Sequence, residues 1–166
     1  MRRTFFVFFL SVAFSIASAQ VINREPLSER TTGYNIDASL DPVTKTVNGT
    51  MNAFWVNRSA DIVPDIHMHL YMNAFRSEET TFRKESDVLP FLGELYPGWI
   101  DILSFSDRKG TNLLDRMEYI SPDDGNPYDK TVIRVSLPEP AKPGDTVFVT
   151  LKFETKLPKV TFRTGY

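Results

Sequence analysis

The sequence predicts an all-β fold, a mostly antiparallel β-sandwich, preceded by a cleaved signal peptide. Two observations predict the sandwich. Short segments in which apolar and polar residues alternate with a period of two recur along the chain, and turn-forming residues separate them about every 8–12 residues. After the leader, no long stretch repeats its apolar residues at the period of a surface helix, about 3.6 residues.

Residues 1–19 have the three parts of a secretory signal peptide. Two arginines give a positive start, an apolar run covers 5–16, and small residues ending at Ala19 precede the predicted cleavage site. The run is shorter than the stretch of about 20 apolar residues that a transmembrane helix needs. We therefore predict export, to the periplasm or outside the cell, with no membrane span after cleavage. Residues 20–32 are predicted to be a flexible segment before the domain.

The first two strands form a predicted hairpin. Apolar and polar side chains alternate over 34–40, and the segment 41–45 has turn composition, with a proline that fixes φ at the second turn position. The return strand is predicted over 47–56. Gly49 inside this strand indicates either a β-bulge or a close approach of the backbone to a neighbour.

The middle of the chain is less regular. Residues 65–73 alternate again and predict a third strand. Its predicted core side is Ile66, Met68, Leu70 and Met72, and its opposite side is Asp65, His67, His69, Tyr71 and Asn73. The polar segment 77–87 is predicted to be a loop or one short helix, and 88–98, with its prolines and glycines, an irregular packed loop.

Four more strands are predicted in the second half of the chain. They cover 99–106, 113–120, 132–137 and 146–154. The turns between them cover 107–110, 121–127 and 138–145. The last strand has the most regular alternation, with one face formed by Val147, Val149, Leu151 and Phe153.

Composition excludes several classes of function. The 166 residues suffice for one domain with a core, and the absence of cysteine excludes a disulfide scaffold, Cys-ligated zinc and thiol catalysis. Removal of the leader with its two arginines leaves 17 of the 19 basic residues against 21 acidic ones, a net charge of −4. Because the chain has no Lys/Arg cluster, we predict no nucleic-acid partner. Phosphate-binding glycine motifs and a G-x-S-x-G elbow are absent as well.

The chain has two histidines, and their spacing makes them candidate metal ligands. His67 and His69 are two apart on a predicted strand and so share a face, with Asp65 as the nearest third donor. A zinc site needs at least three protein ligands and supporting hydrogen bonds. We favour the alternative, two histidines on the polar side of a half-buried strand, and predict neither a metal site nor a catalytic residue.

Two further groups of residues have a structural and a functional interpretation. Acid–base catalysis by carboxylates needs them to converge in a cleft, whereas Glu78-Glu79 and Asp123-Asp124 lie in polar segments and are predicted to be solvated loop charges. Five aromatic residues could line a sugar or peptide groove, but we favour a place in the sandwich core. They are Trp55, Phe91, Tyr96, Trp99 and Phe105.

An ordered series of motifs carries a resemblance to a known family. The motifs are Tyr34-x-Ile36-x-Ala38-x-Leu40-Asp41-Pro42, Val47-x-Gly49, Trp55-Val56-Asn57-x-Ser59, Leu70-Tyr71-Met72-Asn73-Ala74-Phe75, Phe153-x-Thr155-Lys156-Leu157-Pro158 and Arg163-Thr164-Gly165. Their order and spacing resemble the N-terminal β domain of zinc-dependent aminopeptidases related to aminopeptidase N and leukotriene-A4 hydrolase, the exported bacterial members above all. The resemblance covers residues 33–166.

The resemblance implies a saddle-like β domain that packs on a thermolysin-like catalytic domain of the same polypeptide. In such enzymes H-E-x-x-H and a downstream Glu hold zinc, the zinc activates a water, and the motif Glu is the general base. Exopeptidase members also carry G-x-M-E-N near the substrate N-terminus. None of these motifs is present here, so no catalytic residue is carried over. The resemblance implies zinc and a peptide substrate only for the absent catalytic domain, and this chain, which ends before it, is expected to be inactive alone.

The sequence is compatible with three functions. The first is the non-catalytic N-terminal domain of an exported zinc metallopeptidase, which helps to shape the cleft and exposes an apolar patch for its neighbour. The second is a stand-alone secreted β-sandwich module that binds glycan or peptide. An exposed aromatic stripe, without a large patch at the C-terminal end, would favour it. The third is a small metal-binding protein that uses His67 and His69.

Overall fold

A computed structural model describes residues 28–85, 96–159 and 165–166. Its strands are β1 (Thr32–Asp41), β2 (Thr46–Val56), β3 (Val63–His69), β4 (Trp99–Asp107), β5 (Met117–Ile120), β6 (Val132–Ala141) and β7 (Thr146–Lys156). Its described helices are α1 (Thr81–Lys84) and the 3₁₀ helices Tyr71–Phe75 and Leu114–Arg116. The signal peptide, most of the flexible segment and most of the packed loop predicted at 88–98 lie outside the described residues.

The strands form two antiparallel sheets, which confirms the predicted all-β, sandwich-like fold. One sheet has four strands in the order β1-β2-β7-β4, and the other has three in the order β3-β6-β5. Within the part of the chain that the structure describes, no helix is long and apolar enough to cross a membrane.

The predicted hairpin joins β1 to β2, and local chemistry forms its turn. Asp41 Oδ1 accepts hydrogen bonds from the backbone N–H groups of Val43 at 2.8 Å and Thr44 at 3.3 Å. Lys45 then takes a left-handed conformation with φ of 58°, and its N–H donates to the Asp41 carbonyl at 2.9 Å. The register is continuous from Thr32–Trp55 to Asp41–Thr46, so β2 contains no bulge against β1.

The core lies between the two sheets. Its buried members are Leu70, Ile102, Phe105, Leu113, Ile133, Val135, Val149 and Leu151. Half-buried neighbours from β2, β3 and β7 pack around them, among them Met51, Ala53, Ile66, Met68 and Phe153. The apolar face predicted for the last strand therefore does face the core, and so do Ile66, Met68 and Leu70 of the face predicted for the third strand.

Strand β4 contains a bulge that its sequence does not reveal. The pairing with β7 shifts between Ile102 and Ser104. As a result Ile102 and Phe105, three residues apart, both enter the core, while Leu103 between them is 56% exposed.

The strand predicted at 65–73 is too long. The observed strand ends at His69, and a 3₁₀ helix follows over Tyr71–Phe75. Leu70, between the two, donates its N–H to the Thr131 carbonyl, and its own carbonyl accepts the Asn73 N–H in the first turn of the helix. Asn73 is fully buried rather than facing away from the core. The alternation up to Leu70 is real, whereas its extension over the last three residues is coincidental.

Three other predicted boundaries change. Strand β6 continues to Ala141, so the turn predicted at 138–145 is only the segment after Ala141, closed by the Asp145 N–H on the Lys142 carbonyl at 3.0 Å. The two prolines inside β6 are tolerated because they lie beyond the last pair with β5, where fewer ladder N–H groups are needed.

Two other segments also differ in detail from the prediction. The strand predicted at 113–120 is shortened to β5 by the 3₁₀ helix before it, and the polar segment 77–87, predicted to be a loop or one short helix, contains one short helix, α1.

Candidate binding surface

Strand β1 carries an apolar face that the three-stranded sheet does not cover. We call Tyr34, Ile36, Ala38 and Leu40 the β1 face; in the register of the hairpin they lie beside Ala53, Met51, Gly49 and Val47 of β2. Met51 and Ala53 pack against the core, so the β1 face continues the core-facing side of the sheet. Yet Tyr34, Ile36 and Leu40 are 64%, 56% and 54% exposed.

Gly49 marks a close approach, the second of the two alternatives that the sequence left open. A β-carbon at this position would lie 2.4 Å from Cζ of Phe153, because the Phe153 ring on β7 lies directly over the Gly49 backbone. Ala38 is the paired residue on β1. The missing side chain at Gly49 therefore leaves room on this part of the face for the Phe153 ring.

A groove begins at the Tyr34 end of the β1 face. It has a volume of about 280 Å³ and runs between β2 and β3. Its apolar lining includes Tyr34, Ala53, Trp55, Ile66, Met68 and Val149, and its polar lining includes Thr32, Asp65 and His67. The groove and the β1 face therefore form one continuous apolar surface with a polar margin on β3.

The two histidines have separate partners. His67 Nε2 lies 3.2 Å from Oδ1 of Asp65, and the side chains are about half and one third exposed. The His69 ring stacks on Tyr71, with ring centroids 4.9 Å apart and ring planes at 1°. Among the described residues, no three His, Asp or Glu side chains are grouped so that they could hold a metal ion. Asp65, the nearest third donor in the sequence, lies beside His67.

The acidic pairs are used to tie loops together. Glu78 forms a bidentate pair with Arg83 at 2.6 and 3.2 Å, and Glu79 pairs with Lys84 at 3.1 Å. Asp124 accepts a hydrogen bond from the Thr81 hydroxyl at 2.6 Å, across the gap to α1. This hydrogen bond, together with one from a backbone N–H, holds the pKa of Asp124 below its ordinary value. Glu78, Glu79 and Asp124 therefore have partners within the fold, and both acidic pairs are exposed, as predicted.

The aromatic residues do not share one environment. Phe105 is in the core, Trp55 and Trp99 are half-buried, and Tyr96 is 43% exposed. Phe91 lies outside the described residues. The core interpretation is thus correct for Phe105, while Trp55 lines the groove.

Two buried asparagines explain parts of the motifs that carry the resemblance. Asn57 Nδ2 donates to the carbonyls of Asp61 at 2.8 Å and Ala141 at 3.0 Å, and its Oδ1 accepts the Ser59 N–H at 3.0 Å. Asn73 joins its 3₁₀ helix to β4 and to the chain before β6 in a similar way. Periodicity alone did not find these residues; the only signal was a polar residue at a fixed place in each motif. Both asparagines connect segments that are distant in the sequence.

The described C-terminal residues lie next to the β1–β2 turn. Leu157 donates its N–H to the Lys45 carbonyl at 2.9 Å, and Lys45 Nζ lies 5.2 Å from the centroid of the Tyr166 ring. Leu40, the last member of the β1 face, is one residue from this turn. The uncovered face therefore extends from the groove to the place where the described chain ends.

Comparisons with known proteins leave the family open. No family model matches the chain, and no curated protein matches it. Any proposal for its function therefore rests on the geometry described above and on the ordered motifs of the sequence.

Proposed function

We propose that this chain is the non-catalytic N-terminal domain of an exported zinc metallo-aminopeptidase-like protein. In this proposal the β1 face packs on the catalytic domain of the same polypeptide. The observation that supports it is the exposure of Tyr34, Ile36 and Leu40 on a surface that continues the core. Burial of one such side chain is worth about 1.5–3 kcal/mol, so a neighbour that covers the face gains stability from it.

The role of the domain in this proposal is to cover one side of the catalytic domain and help to shape the cleft for the substrate N-terminus. Zinc, held by H-E-x-x-H and a downstream Glu, belongs to the catalytic domain and would activate the attacking water there. This chain would supply contact surface, the exposed β1 face.

The first test is the in-frame DNA sequence beyond codon 166. The proposal expects a reading frame that continues for several hundred codons and encodes H-E-x-x-H with a downstream Glu. A stop codon directly after Tyr166, with a stable monomeric product, would contradict it.

The β1 face provides the second test, by charge substitution. In the complete polypeptide, the pair Ile36→Asp and Leu40→Asp is expected to weaken domain packing by at least about 3 kcal/mol, because two carboxylates would be buried in an apolar contact. The readout is the separation of one thermal transition into two in calorimetry.

The control adds the same charge to the other face of the same strand. Asn35→Asp and Ser39→Asp alternate with the test positions and lie opposite Asn52 and Asn48. We expect the single transition to persist in this control. In the 166-residue chain each pair is expected to change the free energy of unfolding by less than about 1 kcal/mol, since all four positions are exposed. Equal effects of both pairs in the complete polypeptide would contradict packing through the β1 face.

The groove supports a second candidate function, a stand-alone β-sandwich module that binds a glycan or peptide. Tyr34 and Trp55 supply aromatic surface, and Asp65 and His67 supply polar groups. Trp99→Phe leaves Trp55 as the single tryptophan, so its fluorescence reports on the groove. A binding module would give a saturable change with an oligosaccharide or peptide panel that Tyr34→Ala abolishes. The peptidase-domain proposal expects no saturable change.

A further inference from the structure

The two sheets have four edge strands, and three of them carry features that prevent further strand pairing. Strand β4 contains the bulge, and its backbone is occupied where Ile100 donates to Asn73 Oδ1 at 2.9 Å and Phe105 accepts from Leu113 at 2.8 Å. Strand β5 has only four residues. Strand β3 has a register shift next to Pro64. Bulges, short strands, prolines and covering segments are the usual protection of a sheet edge.

Strand β1 has none of these features among the residues that the structure describes. It is ten residues long, contains no proline and no basic residue, and pairs with β2 in one uninterrupted register. Its entire second half is exposed. A long regular edge with an apolar face is a template for pairing with another strand.

The backbone groups at this edge can be assigned from the register. Val56 donates its N–H to the Thr31 carbonyl at 2.8 Å, so Thr31 and Val56 form a hydrogen-bonded pair. Such pairs alternate along an antiparallel ladder. The residues of the β1 face, Tyr34 to Leu40 at every second position, therefore direct their N–H and C=O groups away from β2, toward the free edge.

The negative charge of Asp37 favours one kind of strand as the partner of the β1 edge. Asp37 and Asp41 are the only charged residues of β1, and Asp41 is used in its own turn. Within the described residues, Asp37 has no ion-pair partner. An antiparallel second copy paired about Asp37, with its apolar face on the same side, would place Asp37 opposite Asp37, which is destabilising. Pairing about Ile36 would place Asp37 opposite Asn35, which gives the carboxylate no opposite charge. A strand with a Lys or Arg at that position is the complementary partner.

We propose that the free edge of β1 is completed by an extended strand of the neighbouring domain, which adds a fifth strand to the four-stranded sheet and places a basic residue opposite Asp37. The inference rests on the proposed function for the source of the strand. It adds to that function the way in which the two domains are in contact: main-chain hydrogen bonds form at the edge of β1, and side chains pack on the β1 face.

The test is hydrogen exchange at single-residue resolution, in the 166-residue chain and in the polypeptide of the complete reading frame. In the 166-residue chain, the amides of Tyr34, Ile36, Ala38 and Leu40 are expected to exchange freely, while the alternating amides from Asn35 to Ser39 are protected by β2. In the complete polypeptide the four edge amides are expected to slow by at least about 100-fold. Hydroxyl-radical footprinting of Tyr34, Ile36 and Leu40 reports separately on burial of the face.

The outcomes separate the two proposals. Protection of both edge amides and side chains supports strand addition. Buried side chains with freely exchanging edge amides would overturn strand addition and leave the domain-packing proposal standing. If neither is protected, both proposals are wrong. Protection that appears in the 166-residue chain and increases with its concentration would identify a second copy as the occupant and overturn the assignment to a neighbouring domain.

A charge reversal tests the basic partner. In the complete polypeptide, Asp37→Lys is expected to reduce the protection of the edge amides by about tenfold, since like charges would then face each other and lysine disfavours edge pairing. The matched variant Asp37→Asn removes the charge without reversing it and is expected to have a smaller effect. Unchanged protection in Asp37→Lys would show that no basic residue lies opposite Asp37.

Discussion

Phe105→Ala is expected to lower the free energy of unfolding by about 3–5 kcal/mol, the largest effect of any single substitution considered for this protein. The Phe105 ring is 2% exposed and packs between the two sheets with Leu151 of β7 as its cross-strand partner. Its removal loses the transfer free energy of the ring and leaves a cavity that the surrounding strands cannot close. Urea denaturation of the 166-residue chain measures the loss.

Leu103→Ala is the matched control on the same strand. Leu103 is two residues from Phe105 and would share its face in a regular strand, but the bulge turns it outward. Its truncation is expected to cost less than about 1 kcal/mol. Similar losses for the two variants would show that β4 is regular and that the bulge is wrong.

Asn73→Ala is expected to be the second most destabilising change, by about 2–4 kcal/mol. The fully buried Asn73 amide donates to the Lys130 carbonyl at 2.7 Å and accepts the Ile100 N–H at 2.9 Å. Alanine leaves both backbone groups without a partner, and each such group costs about 1–3 kcal/mol. Denaturation measures the total, and faster exchange of the Ile100 amide identifies the local cause.

Asn52→Ala controls for the loss of an asparagine side chain. Asn52 is exposed on β2, where its Oδ1 accepts one hydrogen bond, from the Thr150 hydroxyl at 2.8 Å. The expected change is within about 0.5 kcal/mol. A loss at Asn73 no greater than at Asn52 would mean that Asn73 does not connect its 3₁₀ helix to β4 and to the chain before β6.

The alternation of apolar and polar residues was sufficient to locate most strands but not to identify the candidate surface. Alternation located β2 and β7 to within two residues, because a strand with one buried face imposes a period of two on its own sequence. It gave no means to foresee the bulge in β4 or the burial of Asn73. Both depend on partners distant in the chain, Leu151 and Lys130 among them.

The contrast between β1 and β7 separates what the sequence determines from what the tertiary structure determines. Both have alternating apolar residues, and the sequence by itself determined that each strand has one apolar face, that β1 and β2 form a hairpin, and that no disulfide or Cys-ligated metal is possible. Only the tertiary structure decided that the face of β7 is buried and that of β1 exposed. The physical reason is that a strand face is buried only where the other sheet packs against it. A three-stranded sheet packs against a four-stranded sheet here, and it does not cover the fourth strand, β1.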